Sequence, residues 1–344
     1  MEYVIGIDIG ATKSHLALFD ITGSLIDFGR WGPLNHEVLP GSYAQFGDEL
    51  KQFVSQILSR NNLKQEQIIS AAFGIGGVDT KEQHETISQI IKKNGFNDFT
   101  LTNDAFLGIP AGNPDGVGIC AINGSGCTLA GINKEGRMLQ IGGVGYVSAD
   151  YGGGGILGQK VVSAVYSELF RKGEPTCMTG ALFEKLGLCD KFGFVDKMYE
   201  KIREGCLDEH GRAGNFVAGC AKILFEAAKK NDKAALEILY ECGISIANGI
   251  SCMIEELGFN LTNDEINIIF AGSVFVKNDH PLLLDKIREK LNRDNPGCNL
   301  KYTLLNMPPV AGAVLLAYKR MRLNEKNIHN NVCKQLENLN FQII

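Results

Sequence analysis

Gly6-Ile7-Asp8-Ile9-Gly10-Ala11-Thr12-Lys13 follows directly on the apolar Tyr3-Val4-Ile5, and this stretch decides the fold. Residues 3–9 read as a buried strand running into a turn at 10–13. Residues 14–20 (Ser-His-Leu-Ala-Leu-Phe-Asp) read as a second strand, Thr22-Gly23 as a hairpin turn, and Leu25 onward as a third strand. Gly10 and Ala11 permit a tight turn whose backbone N–H groups can point at phosphate oxygens, while Thr12 and Lys13 add a hydroxyl and a cation. Asp8 by itself repels phosphate; its place makes sense if a Mg²⁺ with bound water stands between carboxylate and phosphates. A plain hairpin with a surface Asp would give the same string. A P-loop is excluded, because no G-x-x-x-x-G-K-[ST] occurs.

Working outward, the same theme returns. A strand over 117–122, the turn Asn123-Gly124-Ser125-Gly126, a strand over 127–132 and the turn Lys134-Glu135-Gly136 repeat the opening design. Two such turns facing each other can grip one triphosphate from both sides. Between them lie a helix over 44–60, a strand over 68–75, a helix over 81–94 and a strand ending at Thr102-Asn103-Asp104. The stretch 109–115 reads as a crossover. Beyond 150 the spacing predicts helices over 156–170, 179–186, 194–204, 213–230, 232–257, 279–292 and 310–322, with a strand at 266–271. The expectation is an α/β protein with similar domains at 1–112 and 113–322. Residues 323–344 read equally as a frayed tail or as a helix returning to the first domain.

Three further stretches carry chemistry. Asp104, at a strand's C-terminal end beside the crossover, sits where α/β sheets bind ligands and fits a base that deprotonates an acceptor hydroxyl. Asn103-Asp104 would also serve as a helix cap. Gly142 to Gly154 sets six glycines around Asp150, whose carboxylate can accept from sugar hydroxyls or merely cap the helix that follows. Ile268 to Val274 is a buried strand entering Gly272-Ser273, small residues that leave room for adenine or for helix packing.

Composition bounds the partners. The chain has 344 residues, 34 basic against 39 acidic, and a net charge of −5. That balance argues against nucleic acid or an anionic membrane as the main partner. No apolar run is long enough to cross a bilayer, and Met1-Glu2-Tyr3-Val4 lacks a signal peptide's basic start, so a cytoplasmic location is expected. The ten cysteines form no C-x-x-C pair and no zinc-spaced cluster, and most are expected to be buried thiols.

In this order, these elements resemble the actin/hexokinase superfamily of two-domain phosphotransferases, with ribonuclease H-like domains flanking an ATP/sugar cleft. Within it they are most similar to the N-acetylglucosamine kinase family, grouped with the benzoyl-CoA-reductase-type ATPases. The resemblance spans about residues 3–318 and implies ATP and Mg²⁺ as cofactors, an amino-sugar substrate and a homodimer. It implies that Gly10, Ala11, Thr12, Lys13, Ser125, Gly126, Gly272 and Ser273 hold the nucleotide, and that Asp8 holds Mg²⁺ through water. It places Asn35 and His36 (in Gly32-Pro33-Leu34-Asn35-His36), Gly77, Asp79, Asn103, Asn123, Gly124 and Asp150 on the sugar, and makes Asp104 the base acting on a hydroxyl, O6. There are departures. The usual Gly-Thr-Gly-Ser-Asn-Cys is here Ile122-Asn123-Gly124-Ser125-Gly126-Cys127; the usual Trp is Val144; the usual Asp-Glu is Asp150-Tyr151. These imply a roomier pocket that admits N-acetylmuramic acid as well as N-acetylglucosamine.

Two other classes share parts of this pattern. An ATP-driven activator of a radical dehydratase or reductase would need exposed cysteines converging on an iron–sulfur cluster. A sugar-sensing regulator would need a DNA-binding module, and neither a helix-turn-helix nor a basic stretch is evident.

Overall fold

The computed structural model describes residues 2–145, 148, 150–204, 214–259, 265–277, 281–323 and 326–340. Tyr146, Val147 and Ala149 of the glycine-rich stretch, Cys206, residue 213 and residues 279–280 of two expected helices, and residues 324–325 and 341–344 of the C-terminal segment lie outside them. The first half runs β1 (Tyr3–Ile9), β2 (Ser14–Asp20), β3 (Leu25–Trp31), α1 (Ser42–Arg60), β4 (Ile68–Ile75), α2 (Lys81–Lys93), β5 (Phe99–Thr102), a 3-10 turn (Asp104–Leu107) and α3 (Gly108–Gly112). The second runs β6 (Gly118–Asn123), β7 (Cys127–Ile132), β8 (Met138–Gly142), α4 (Gly153–Arg171), α5 (Met178–Leu186), α6 (Phe194–Arg203), α7 (Asn215–Lys229), α8 (Lys233–Glu256), β9 (Glu265–Ala271), α9 (Ser273–Val276), α10 (Leu282–Asp294) and β10 (Asn299–Leu304). Then come α11 (Val310–Arg320) and α12 (Lys326–Asn340).

The two halves share one topology. Each holds a five-stranded sheet, ordered β3-β2-β1-β4-β5 in the first and β8-β7-β6-β9-β10 in the second. In both, the first three strands form an antiparallel meander and the last two add in parallel. The C-terminal ends of β1, β4 and β5 therefore lie along one edge of the first sheet, and those of β6, β8 and β9 along one edge of the second. Every candidate site residue follows one of these ends or β3, apart from Asp8 inside β1 and Asp150 in the loop before α4.

Burial explains why these segments are strands. Val4, Ile5, Ile7 and Ile9 of β1 are fully buried on alternate faces, because the sheet is covered on both sides. One face packs against Phe46, Phe53 and Ile57 of α1 and Ile87 of α2. On the other, Val4, Ala17, Phe19 and Ala72 share an apolar cluster with α3, α11 and, from the second sheet, Cys120, Ala130 and Ile269. This middle cluster ties the halves together.

Two C-terminal helices dock on the first half. Helix α11 falls within the expected 113–322 domain, yet it packs on β1 and β4; Ser70 Oγ donates to Ala317 O at 2.9 Å, and Tyr318 Oη donates to Asp20 O. Helix α12 buries Val332 and Leu336, and Gln335 bonds both Leu25 N and Gly23 O. Strands β8 and β10 correct the sequence reading, which contained neither. Both are short outer strands with mostly half-exposed side chains, so the apolar run that announces an inner strand is absent. The crossover at 109–115 is in part the short helix α3. Among the described residues, no helix is long and apolar enough to cross a membrane.

Candidate active site

The β1–β2 turn and the β6–β7 turn meet. Thr12 Oγ1 and Ser125 Oγ lie 3.1 Å apart, although 113 residues separate them. Ala11, Thr12 and Lys13 are exposed, and Gly10 N closes the turn on Lys13 O at 3.1 Å. In the opposite turn, Gly124 N bonds Gly126 O at 2.9 Å. Gly154 N and Gly155 N at the head of α4 then bond Gly124 O and Ser125 O, so the helix start holds this turn in place.

Positive charge gathers here from both halves. Lys13 is exposed as a residue, yet partial desolvation of its ammonium group lowers its proton affinity; Lys277 and Arg30 lower it further, and Asp8 opposes them. Lys277 directly follows α9 in the second half, so cations from both sheets surround the meeting point of the turns, as a polyphosphate requires. Asp8 supplies a hard oxygen donor beside these turns, and its charge lies near enough to Asp104 to raise that carboxyl's proton affinity. That donor set fits Mg²⁺ held through water.

The turn after β9 rests on the β6–β7 turn. Gly272 has φ +94°, and a Cβ built there would stand 2.4 Å from Asn123 O. No other residue type allows that approach at that backbone angle. Asn123 is fully buried; its Oδ1 accepts from Gly153 N, and its Nδ2 has no protein partner. A buried unpaired donor costs free energy unless a ligand supplies the acceptor.

Asn35, Asp104 and Gly76 form the floor of the cleft. A Cβ on Gly76 would lie 3.3 Å from both Asn35 Nδ2 and Asp104 Oδ2, so the bare glycine lets the amide and the carboxyl stand side by side. Asn35 is buried, and its Oδ1 accepts from Glu37 N at 2.8 Å, while its Nδ2 lies on the Gly76 side. Part of the Asp104 residue stays accessible, but its carboxyl is withdrawn from water. That desolvation, then the charges of Asp8 and Asp79, push its pKa up to about 7. A carboxylate so tuned takes up a proton near neutrality.

The remaining candidate residues are placed differently from one another. His36 is buried and stacked on Tyr43 with ring centroids 4.5 Å apart; neither ring nitrogen has a protein partner, and burial lowers its proton affinity. Gly77, with φ +80°, turns the chain between Asn35 and Asp79. Asp79 Oδ1 accepts from Asn103 Nδ2 at 2.9 Å and from Gln140 Nε2 at 2.6 Å. Asn103 also caps the 3-10 turn of Asp104 by accepting from Ala105 N at 2.9 Å. The carboxylate of Asp150 is engaged within its own loop, by Gly145 N at 2.6 Å and Ser148 Oγ at 2.7 Å. Gly124, Gly126 and Ser273 line the turns already described.

Gln140, Glu37 and Lys277 were not legible as site residues. Each is a lone polar residue whose own type signals no chemistry, and only the packing of the chain brings it here. Of the described cysteines, Cys120, Cys127, Cys220, Cys242 and Cys333 are buried, Cys298 is half-buried, and Cys177, Cys189 and Cys252 are exposed. Among the described residues, no group of three or more His, Cys, Asp and Glu is arranged to hold a metal ion.

Known proteins share this architecture. An N-acetylmuramic acid/N-acetylglucosamine kinase of Clostridium acetobutylicum is 26% identical over 318 residues, covering 92% of this chain and 98% of that protein. An N-acetyl-D-glucosamine kinase of Dictyostelium discoideum is 24% identical over 332 residues, with the same coverage. Among solved structures, a Chromobacterium violaceum protein carrying an N-acetylglucosamine kinase assignment superposes with a TM-score of 0.68 at 19% identity, over 92% of this chain and 99% of that one. A ROK family glucokinase from Streptomyces griseus, in complex with glucose and AMPPNP, gives 0.52 at 16% identity, over 93% and 99%. These likenesses establish the actin/hexokinase-like fold. Residues 5–317 match the family described as BadF/BadG/BcrA/BcrD ATPases, and with so much of its length matched the chain belongs to that family.

Proposed function

We propose that this protein is a kinase that transfers the γ-phosphoryl group of ATP to the O6 hydroxyl of an amino sugar, N-acetylglucosamine or N-acetylmuramic acid. The observation that carries the reading is that Asn35 and the desolvated Asp104 both border Gly76, at the strand ends of the first half, while the two glycine turns meet at Thr12 and Ser125.

Each residue then has a task. Gly10 to Lys13 and Ser125-Gly126 flank the phosphates from opposite halves, and Lys13 opposes their charge. Gly272-Ser273 borders the adenosine. Asn35 and the free donor of Asn123 orient the sugar, with His36, Gly77, Asp79, Asn103, Gly124 and Asp150 around it. Asp104 takes the hydroxyl proton while the sugar oxygen forms its bond to the γ-phosphorus and ADP leaves with the electrons of the broken bond. Asp8 would hold Mg²⁺ through water, and the ion would neutralise charge on the phosphates. Closure of the halves excludes water, which would otherwise take the sugar's place.

Support for the larger sugar comes from the lip of the cleft. Val144, where the resembling family carries a Trp, is 65% exposed and leaves space beside the Asp150 loop. A coupled ADP-release assay with Mg·ATP tests the reading across N-acetylglucosamine, N-acetylmuramic acid, glucosamine, glucose and a blank without sugar. Turnover that depends on the N-acetylated sugars is expected. Turnover in the blank that no sugar raises would overturn the kinase reading, and inertness toward N-acetylmuramic acid alone would overturn the roomy pocket.

A further inference from the structure

Gln140 lies on β8, in the second sheet, while Asp79 lies in the turn after β4, in the first. Their bond, Gln140 Nε2 to Asp79 Oδ1 at 2.6 Å, is a charge-assisted contact across the cleft. An ionised carboxylate only accepts, so Gln140 and Asn103 must both turn their amide nitrogens toward it. The following turn folds down on the pair. A Cβ on Gly143, which has φ +89°, would lie 3.3 Å from Gln140 Nε2 and 3.7 Å from Asp79 Oδ1. At its other end the chain of contacts reaches the base. Asn103 donates to Asp79 and accepts from Ala105 N, so the residue that caps the Asp104 turn is anchored to the carboxylate that Gln140 grips.

We propose that Gln140 is a positioning residue, which clasps the second half onto Asp79 and so holds the cleft closed over Asp104. Its consequence for the rate rests on the kinase reading above. Thr12 and Ser125 meet through two neutral hydroxyls on exposed turns, a weaker tie that ligand phosphates can replace. Gln140 makes its bond to a fixed charge. Losing it leaves Asp79 with one donor, lets water reach the floor, and frees the Asn103 cap to shift with the turn that carries Asp104.

The test uses the full chain in four forms: wild type, Gln140→Leu, Gln140→Glu and Gln140→Lys. The leucine removes the donor. The glutamate sets a second carboxylate against Asp79, and the lysine keeps a donor facing it while leaving Asp79 and Asn103 untouched. Small-angle X-ray scattering without ligand, thermal midpoints and coupled ADP release are measured on each. We expect the leucine and glutamate variants to scatter with a larger radius of gyration at an unchanged thermal midpoint. They should lose about tenfold in kcat/KM for the sugar, the scale of one hydrogen bond to a charged group, with the KM for ATP unchanged. Gln140→Lys should keep the wild-type compactness and most of the rate. A Gln140→Glu protein as compact and active as wild type overturns the clasp, and so does a Gln140→Lys protein no better than Gln140→Leu. If wild type itself shows no sugar-dependent ADP release, the kinase reading falls, and the scattering of the four proteins still decides the clasp.

Discussion

The Thr12 and Ser125 hydroxyls stand 3.1 Å apart at the meeting point of two turns that belong to different sheets. Each turn joins the first and second strands of its own half, and the halves repeat one strand order, so the contact relates equivalent positions of two similar units. A phosphate chain lying between them would meet backbone donors on both sides. Affinity for nucleotide should therefore need both turns at once.

Removing the base should separate chemistry from binding. Asp104→Asn keeps the shape of the side chain and should lower kcat by several orders of magnitude, with the Kd for ATP little changed, as read by steady-state kinetics and calorimetry. A comparable loss of ATP affinity would mean that Asp104 serves the nucleotide instead.

The wild-type pH profile should report the same group. With the Asp104 pKa near 7, log kcat/KM for the sugar should rise with unit slope below that pH and level off above it. Asp104→Asn should flatten this limb.

Stability should run the opposite way to activity. The Asp104 pKa is raised in the folded chain, from an ordinary value of 3.8 to about 7, so the folded protein binds more protons than the unfolded one between those values. The contribution of this group is then fully present below pH 4 and lost as pH rises through 7. Asp104→Asn should raise the thermal midpoint at pH 8 and change it little at pH 4, checked by calorimetry at both.

The buried turn contacts should resist even a methyl group. Gly272→Ala forces φ +94° on a residue with a Cβ and drives that Cβ into Asn123 O. Backbone strain of this kind costs about 1–3 kcal/mol before the collision is counted. We expect a lower denaturant midpoint and weaker ATP binding together.

Helix α12 should prove structural. Leu336 is fully buried in the cluster that joins the halves. Leu336→Ala should cost about 2–5 kcal/mol in urea unfolding, and leave the KM for the sugar unchanged.

Much of the frame was legible because its signals are local. Residues 3–9 and 118–123 are apolar runs ended by glycine turns, since inner strands covered on both faces need no alternation. Strand β10 was not, because Asn299-Leu-Lys-Tyr-Thr-Leu is an outer strand whose side chains stay half in water. Residues 326–340 left helix and tail equally open. Their apolar side chains specify a helix only once the Gly23–Leu25 hairpin and the middle cluster offer Gln335 and Leu336 their partners.

The site divides along the same line. The ends of the inner strands are written locally, and with them the glycine turns at 10–13 and 123–126, Asn103-Asp104 and Gly272. Backbone preferences and burial patterns act over a few residues and are written there. Packing through space sets Asn35 and Asp104 on either side of Gly76, brings Gln140 to Asp79, and commits the Asp150 carboxylate to Gly145 and Ser148. It also decided the proton affinity of Asp104, because desolvation and the charges of Asp8 and Asp79 depend on distances through space that no spacing along the chain encodes.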